Sequence, residues 1–211
     1  TIERVRELSR GRIEGLTVVF DKGNNSCGNI RGLTDKGVHF IGSLSPSHYP
    51  DLCSVQLSRY TPLKLENGPE ILGFDTKVKA FDRSLRVVLT HNDSAVRKQE
   101  KRFQKDVGRA LAELNQVRWA KVKDPEAKIR EVVAPKLPAY LFQPQGVGAT
   151  LKVGLDQKAV RTYKKRFGKS LIFTDRSDLT AVQVVQAYRD RNEVERLFGE
   201  QAGSVEPEAL H

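Results

Sequence analysis

Leu16-Thr17-Val18-Val19-Phe20 is a short apolar run, mostly β-branched, and it ends at an acid, Asp21. A run of this length and composition predicts a buried strand. Asp21-Lys22-Gly23-Asn24-Asn25-Ser26 then reads as a loop, with Asn25 or Ser26 placed to cap a helix running to about Leu33. Gly37-Val38-His39-Phe40-Ile41 reads as the next strand. Strand, helix and strand in this order predict an open α/β sheet. An acidic residue then sits at the C-terminal end of the first strand, the edge where such sheets bind ligands.

Downstream the pattern changes and then returns. Residues 45–70 contain Pro and Ser and read as irregular. Ile71 to Ala80 and Leu85 to His91, joined by Phe81-Asp82-Arg83-Ser84, read as a hairpin. Asn92 or Asp93 is placed to cap a long helix reaching about Trp119. Its apolar positions Phe103, Val107, Ala110, Leu114 and Val117 recur at spacings of three and four. A polar row on the same helix carries Arg97, Lys98, Lys101, Arg102, Lys105 and Arg109, a solvated face that can also lie along DNA. A second helix runs from about Pro125 to Lys136. Alternation then resumes: strand over Thr150 to Leu155, helix over Gln157 to Arg166, strand over Ser170 to Thr174, and a long helix from about Thr180 to Gln201. The expected architecture is an α/β core interrupted by a mixed, largely helical insertion. Residues 1–45 form the first part of the core, 46–148 the insertion and 149–211 the last part.

Composition narrows the function. Lys and Arg number 36 against 26 Asp and Glu, a formal charge of +10, which favours polyanionic partners. No apolar run approaches the roughly 20 residues of a membrane helix. The charged start, Thr1-Ile2-Glu3-Arg4, is not that of a signal peptide. The chain has no Met, as expected of a piece of a longer protein. Cys27 and Cys53 form no C-x-x-C pair and the four His are scattered, so reduced thiols are expected and a zinc site is not.

Several motifs fail on spacing. Gly168-Lys169-Ser170 lacks the glycine a P-loop needs five positions earlier, where Tyr163 stands. Gly146-Val147-Gly148 has no third glycine, and no G-x-S-x-G elbow surrounds any serine. The segment Tyr188-Arg189-Asp190-Arg191-Asn192-Glu193-Val194-Glu195 is more informative. On a helix it presents Tyr188, Arg191 and Glu195 within about 60° of arc. Such a face suits a metal at Glu195 and a phosphate at Arg191 and Tyr188. It equally suits an amphipathic helix with an Arg191–Glu195 pair four residues apart.

The Y-x-x-R-x-x-x-E pattern, with the V-V-F-D-K-G strand end far upstream, resembles insertion-sequence transposases of the Y-R-E-K signature group, a branch of the DDE transposases. The matching segments are Thr17 to Asn29, His39 to Ser45, Lys169 to Asp175 and Tyr188 to Phe198. The resemblance implies part of a ribonuclease-H-like core. In it Asp21 looks like the second catalytic acid and metal ligand, and Glu195 like the third. Tyr188 and Arg191 look like DNA-binding residues that contact phosphates near the cleavage point. Two departures stand out. The family's first Asp would lie upstream of residue 1, and the signature lysine would fall at position 202, where this chain has Ala202. Gly203 to His211 also reads unlike the family.

The implied chemistry is phosphoryl transfer on DNA without a covalent enzyme intermediate. It would use two Mg²⁺ ions, with Mn²⁺ as substitute, about 3.5–4 Å apart. Mg²⁺ takes hard oxygen ligands, so carboxylates suffice without His or Cys. The expected partner is double-stranded DNA, transposon ends and target, with no membrane and a homodimer on DNA by resemblance. The expected location is the bacterial cytoplasm, at the nucleoid. With two of the three acids the 211 residues alone are expected to be inactive. A hydrolysis-only ribonuclease-H-like nuclease and an inactive DNA-binding relic are the other readings.

Overall fold

The computed structural model describes residues 15–66, 68, 70–134 and 136–202; of residue 24 and residues 192–202 only the backbone is described. Residues 1–15, charged and read from sequence as a helix, fall almost wholly outside the described residues, as does the stretch 203–211. The chain divides into two compact units, Thr1–His91 with Lys169–His211, and Asn92–Gly168.

The first unit is built on a six-stranded mixed sheet. Its strands are β1 (Thr17–Val19), β2 (His39–Leu44), β3 (Thr61–Leu63), β4 (Ile71–Ala80), β5 (Arg83–His91) and the late-returning strand Lys169–Thr174, which is β8 in chain order. Their spatial order is β1-β2-β8-β5-β4-β3. β1 and β2 are parallel, and every other neighbouring pair is antiparallel. Helix α1 (Cys27–Thr34) makes the crossover from β1 to β2, with the Ser26 hydroxyl accepting the Asn29 N–H at 3.0 Å as its N-cap. Gly37 closes the return at φ +65°, a left-handed conformation that suits glycine.

Both faces of this sheet are buried, which explains the near-continuous apolar runs of its inner strands. Val87, Val88 and Leu89 on β5 are all fully buried, although successive side chains point to opposite faces. Phe40, Val87, Leu89, Leu171 and Phe173 pack with Ile30 and Leu33 of α1 on one face. Ile41, Val88 and Ile172 pack on the other with Val184 and Val185 of the last helix, α6 (Ala181–Ala202).

The second unit packs helix α3 (Asp93–Asn115), helix α4 (Pro125–Val133), the hairpin β6 (Phe142–Gln145) and β7 (Lys152–Leu155), and helix α5 (Gln157–Lys164). Phe103, Val107, Ala110 and Leu114 of α3 are buried together with Trp119, Ile129, Leu141 and Val160. Asn92, Asp124 and Asp156 cap its three helices by accepting N–H groups two or three residues on.

Three sequence expectations are corrected. The hairpin over 71–91, assigned to an insertion beginning at residue 46, belongs to the main sheet, because β5 pairs along its length with β8. The strand and helix over 150–166 belong to the second unit, so the divisions fall at Asn92 and Gly168 and not at 45 and 149. β1, expected to be a buried strand, lies at one end of the described sheet, paired only with β2 among the described strands, and its three residues are only partly buried. Residues 45–70 hold a one-turn helix, α2 (Pro50–Cys53), two 3-10 turns and β3, where sequence gave no periodic signal.

Candidate functional site

Asp21 stands where the sequence places it, immediately beyond β1 at its C-terminal end. It is exposed and caps a single 3-10 turn, Lys22–Asn24, its Oδ1 accepting the Lys22 N–H. The short turn follows from Gly23 and the two asparagines, which favour local turns over a longer helix. At its end Asn25 reaches across to β2, where its Nδ2 donates to the Ser43 carbonyl at 2.7 Å. Asn25 Oδ1 is buried and has no hydrogen-bond partner.

The ladder fixes how these groups align. Val19 pairs with Ile41, and the Phe20 N–H donates to the Ile41 carbonyl at 3.0 Å. Two more positions along both parallel strands bring Asp21 level with Ser43. Ser43 is 3% exposed, and its hydroxyl accepts a 2.7 Å hydrogen bond from the Tyr188 hydroxyl on α6. The Arg191 guanidinium lies 5.0 Å from the centre of the Tyr188 ring, within cation–π range. The structure therefore brings Asp21, Tyr188 and Arg191 to the carboxyl ends of β1 and β2. Glu195 lies on α6, about 10 Å further along the helix axis than Tyr188. Its side chain lies outside the described residues.

The neighbouring positions on α6 serve another contact. Gln186 accepts the Glu66 N–H at 3.1 Å and donates to Asp190 at 2.6 Å. A Cβ on Gly68 would come within 2.8 Å of the Arg189 guanidinium. Gln186 and Arg189 thus lie against residues 66 and 68, while Tyr188 faces β2. Ser43 and Asn25 were not singled out as site residues from sequence. Asn25 reads there as a cap, and Ser43 is a lone serine in an apolar strand.

At the other end of β1 and β2 a second polar cluster ties the sheet together. His39 Nδ1 and Asp175 Oδ2 are 2.9 Å apart, and Asp175 Oδ1 accepts the Phe40 N–H at 2.9 Å. Arg176 donates to Thr17 Oγ1 at 2.8 Å and forks onto Asp178 at 2.7 and 2.5 Å. That hydrogen bond from Arg176 is the main reason the Asp178 carboxyl falls to about 2. Nearby, Arg86 bridges Asp75 and the backbone carbonyls of Arg176 and Leu179. These contacts close strand ends and loops onto one another.

The chain matches no family model, no curated protein and no solved structure. Among the described residues no group of three or more His, Cys, Asp or Glu converges as a metal site. No helix among them is long and apolar enough to cross a membrane. For Mg²⁺ the donor chemistry near Asp21 fits: an exposed carboxylate, and four residues on an unpartnered amide oxygen, both hard ligands. This ion keeps several waters and needs only one or two carboxylates when phosphates complete its shell.

Proposed function

We propose that this chain is part of the catalytic domain of a DDE-type DNA transposase with a ribonuclease-H-like core, in which Asp21 and Glu195 are two of three catalytic acids. The observation that carries it is the bond between Tyr188 and Ser43. It sets the Y-x-x-R face of α6 beside the strand end that bears Asp21, two segments that nothing in the local sequence holds together. Asp21 and Glu195 would hold the metal, with Mg²⁺ as the natural ion and Mn²⁺ as its substitute. Bound there, the metal would polarise phosphoryl oxygens and generate the attacking oxygen nucleophile.

The chain's own residues would do the rest. Arg191, its guanidinium in cation–π range of the Tyr188 ring, would hold a DNA phosphate, and the phenol would turn its one proton from Ser43 to the same phosphate as DNA binds. Ser43 and Asn25 would orient Tyr188 and the loop after Asp21. The partner would be double-stranded DNA, with the whole protein cutting transposon ends and joining them to a target, as a homodimer on DNA, at the bacterial nucleoid.

Iron-directed protein cleavage tests the assignment without requiring activity. With Fe²⁺ and ascorbate in place of Mg²⁺, oxidative cuts are expected in the backbone near both residue 21 and residue 195. Both should disappear in Asp21→Ala and be competed by Mg²⁺. Cuts at one site only, or cuts that survive the substitution, would end the assignment.

A further inference from the structure

The charge of this protein is not spread evenly. Of its 36 Lys and Arg, 18 fall within Asn92–Gly168, but of its 26 Asp and Glu only 8 do. The second unit therefore carries a net +10 and the first a net charge of zero. The excess that marks the chain as a polyanion binder belongs to the unit that does not contain Asp21, Tyr188 or Arg191.

Within the second unit a groove of about 500 Å³ is rimmed by Arg130, Lys136 and Arg166 and floored by Val133, Leu137 and the Tyr163 ring. No acidic residue lines it. Arg130 and Lys136 are exposed, and among the described residues none of the three cations has an ion-pair partner. The nearest acid in sequence, Glu131, is held by Lys128 at 2.6 Å. Arg166 is fixed flat on the Tyr163 ring, its guanidinium carbon 3.5 Å from the centroid. Phe103 and Phe167 pack 5.4 and 5.7 Å from the same ring and hold it in place. The guanidinium is thus pre-oriented, so less side-chain entropy is lost when an anion arrives.

We propose that this groove is a nucleic-acid backbone seat, separate from the proposed catalytic face. Its three cations would take phosphates, and its apolar floor would take the sugar between them. A sugar–phosphate chain alternates these two characters, as the groove does. A single small anion would use one or two of the cations and leave most of the unit's +10 without purpose. The inference rests on charge and shape in the second unit and holds whether or not Asp21 and Glu195 bind metal.

The test is binding of a fluorescein-labelled duplex of mixed sequence to the full chain, in EDTA, over a range of salt. The triple variant Arg130→Ala/Lys136→Ala/Arg166→Ala should lose at least about tenfold in affinity. Its slope of log affinity against log salt should become shallower by about 2 to 3, as loss of three phosphate contacts requires. The triple Lys77→Ala/Lys79→Ala/Arg83→Ala removes the same charge from exposed sites of the first unit and should change affinity less than about threefold. Arg130→Lys/Arg166→Lys should keep most of the binding and its thermal melt, which separates charge from misfolding. Asp21→Asn should bind as the parent does, so failure at the metal site is read separately. Equal losses in the two alanine triples would overturn the proposal. So would poly-glutamate competing as well as DNA at matched charge.

Discussion

The Tyr188 hydroxyl hydrogen-bonds the Ser43 hydroxyl at 2.7 Å, across 145 positions of sequence. Ser43 is buried in β2 and Tyr188 is partly buried on α6, so the bond is sheltered from water. Tyr188→Phe and Ser43→Ala are each expected to cost about 1 kcal/mol of stability. The double variant should cost clearly less than the sum, because both changes remove the same bond. Denaturant melts of the four proteins measure this, and strict additivity would show that the bond contributes nothing.

Gly42, beside Ser43, leaves no room for a side chain. A Cβ there would lie 2.7 Å from the Phe173 ring and 2.8 Å from that of Phe20. These rings and Phe40 pack with centroids 5.9 to 6.4 Å apart in the core of the first unit. Gly42→Ala should destabilise by about 1–3 kcal/mol through overpacking. It should also weaken the Tyr188–Ser43 alignment, visible as a shifted Tyr188 signal in the folded fraction.

The β4–β5 turn carries two left-handed residues, Phe81 at φ 52° and Asp82 at φ 60°. Positive φ at both central positions is what a tight hairpin demands, and it favours glycine. Phe81 is repaid by its ring, 5.4 Å from that of Phe173. Asp82 is exposed and has no such contact. Asp82→Gly should therefore stabilise by up to about 1 kcal/mol. A melting temperature that falls instead would refute the strain at this position.

Burial pushes the Tyr60 hydroxyl up to about 12, with the neighbouring Cys53 thiolate adding to the shift. The folded-state value is raised, so the stabilisation is fully present below pH 10 and is lost as pH climbs from 10 towards 12. Absorbance titration should show one phenol ionising late, together with unfolding. The Asp178 carboxyl behaves oppositely. Its folded value is depressed to about 2, so its contribution is present above about pH 4 and fades as pH falls towards 2. Carboxylate NMR titration of Asp178 checks the second window.

If Asp21 and Glu195 are two of three acids, the 211-residue chain should neither nick nor join DNA in Mg²⁺ or Mn²⁺. Robust cleavage by the purified chain would show that the catalytic set is complete without a third. On the binding side, Arg191→Ala should weaken duplex binding more than Lys36→Ala, since Lys36 lies on an exposed turn remote in sequence from the Tyr188 helix. Gel shifts at low salt would compare the two.

Local chemistry decided the local elements. The β-branched run at 17–19, the Ser26 and Asn92 caps, the three-and-four spacing of Phe103 to Leu114, and the Y-x-x-R face are each written in a few neighbouring residues. They fold as strand, capped helix, buried stripe and helix face accordingly. Which strands became neighbours is not written there. Val87, Val88 and Leu89 look the same in a hairpin of an inserted domain as in a sheet centre, and only pairing with β8 sets them in the sheet whose two faces α1 and α6 cover. For the same reason Ser43 and Asn25 could not be read as site residues. A lone serine in an apolar strand acquires a role only when a tyrosine from a distant helix reaches it. The net charge of +10 was plain from composition. Its confinement to one unit emerged only once folding had set the boundaries at Asn92 and Gly168, because composition counts charges and packing decides which surface carries them.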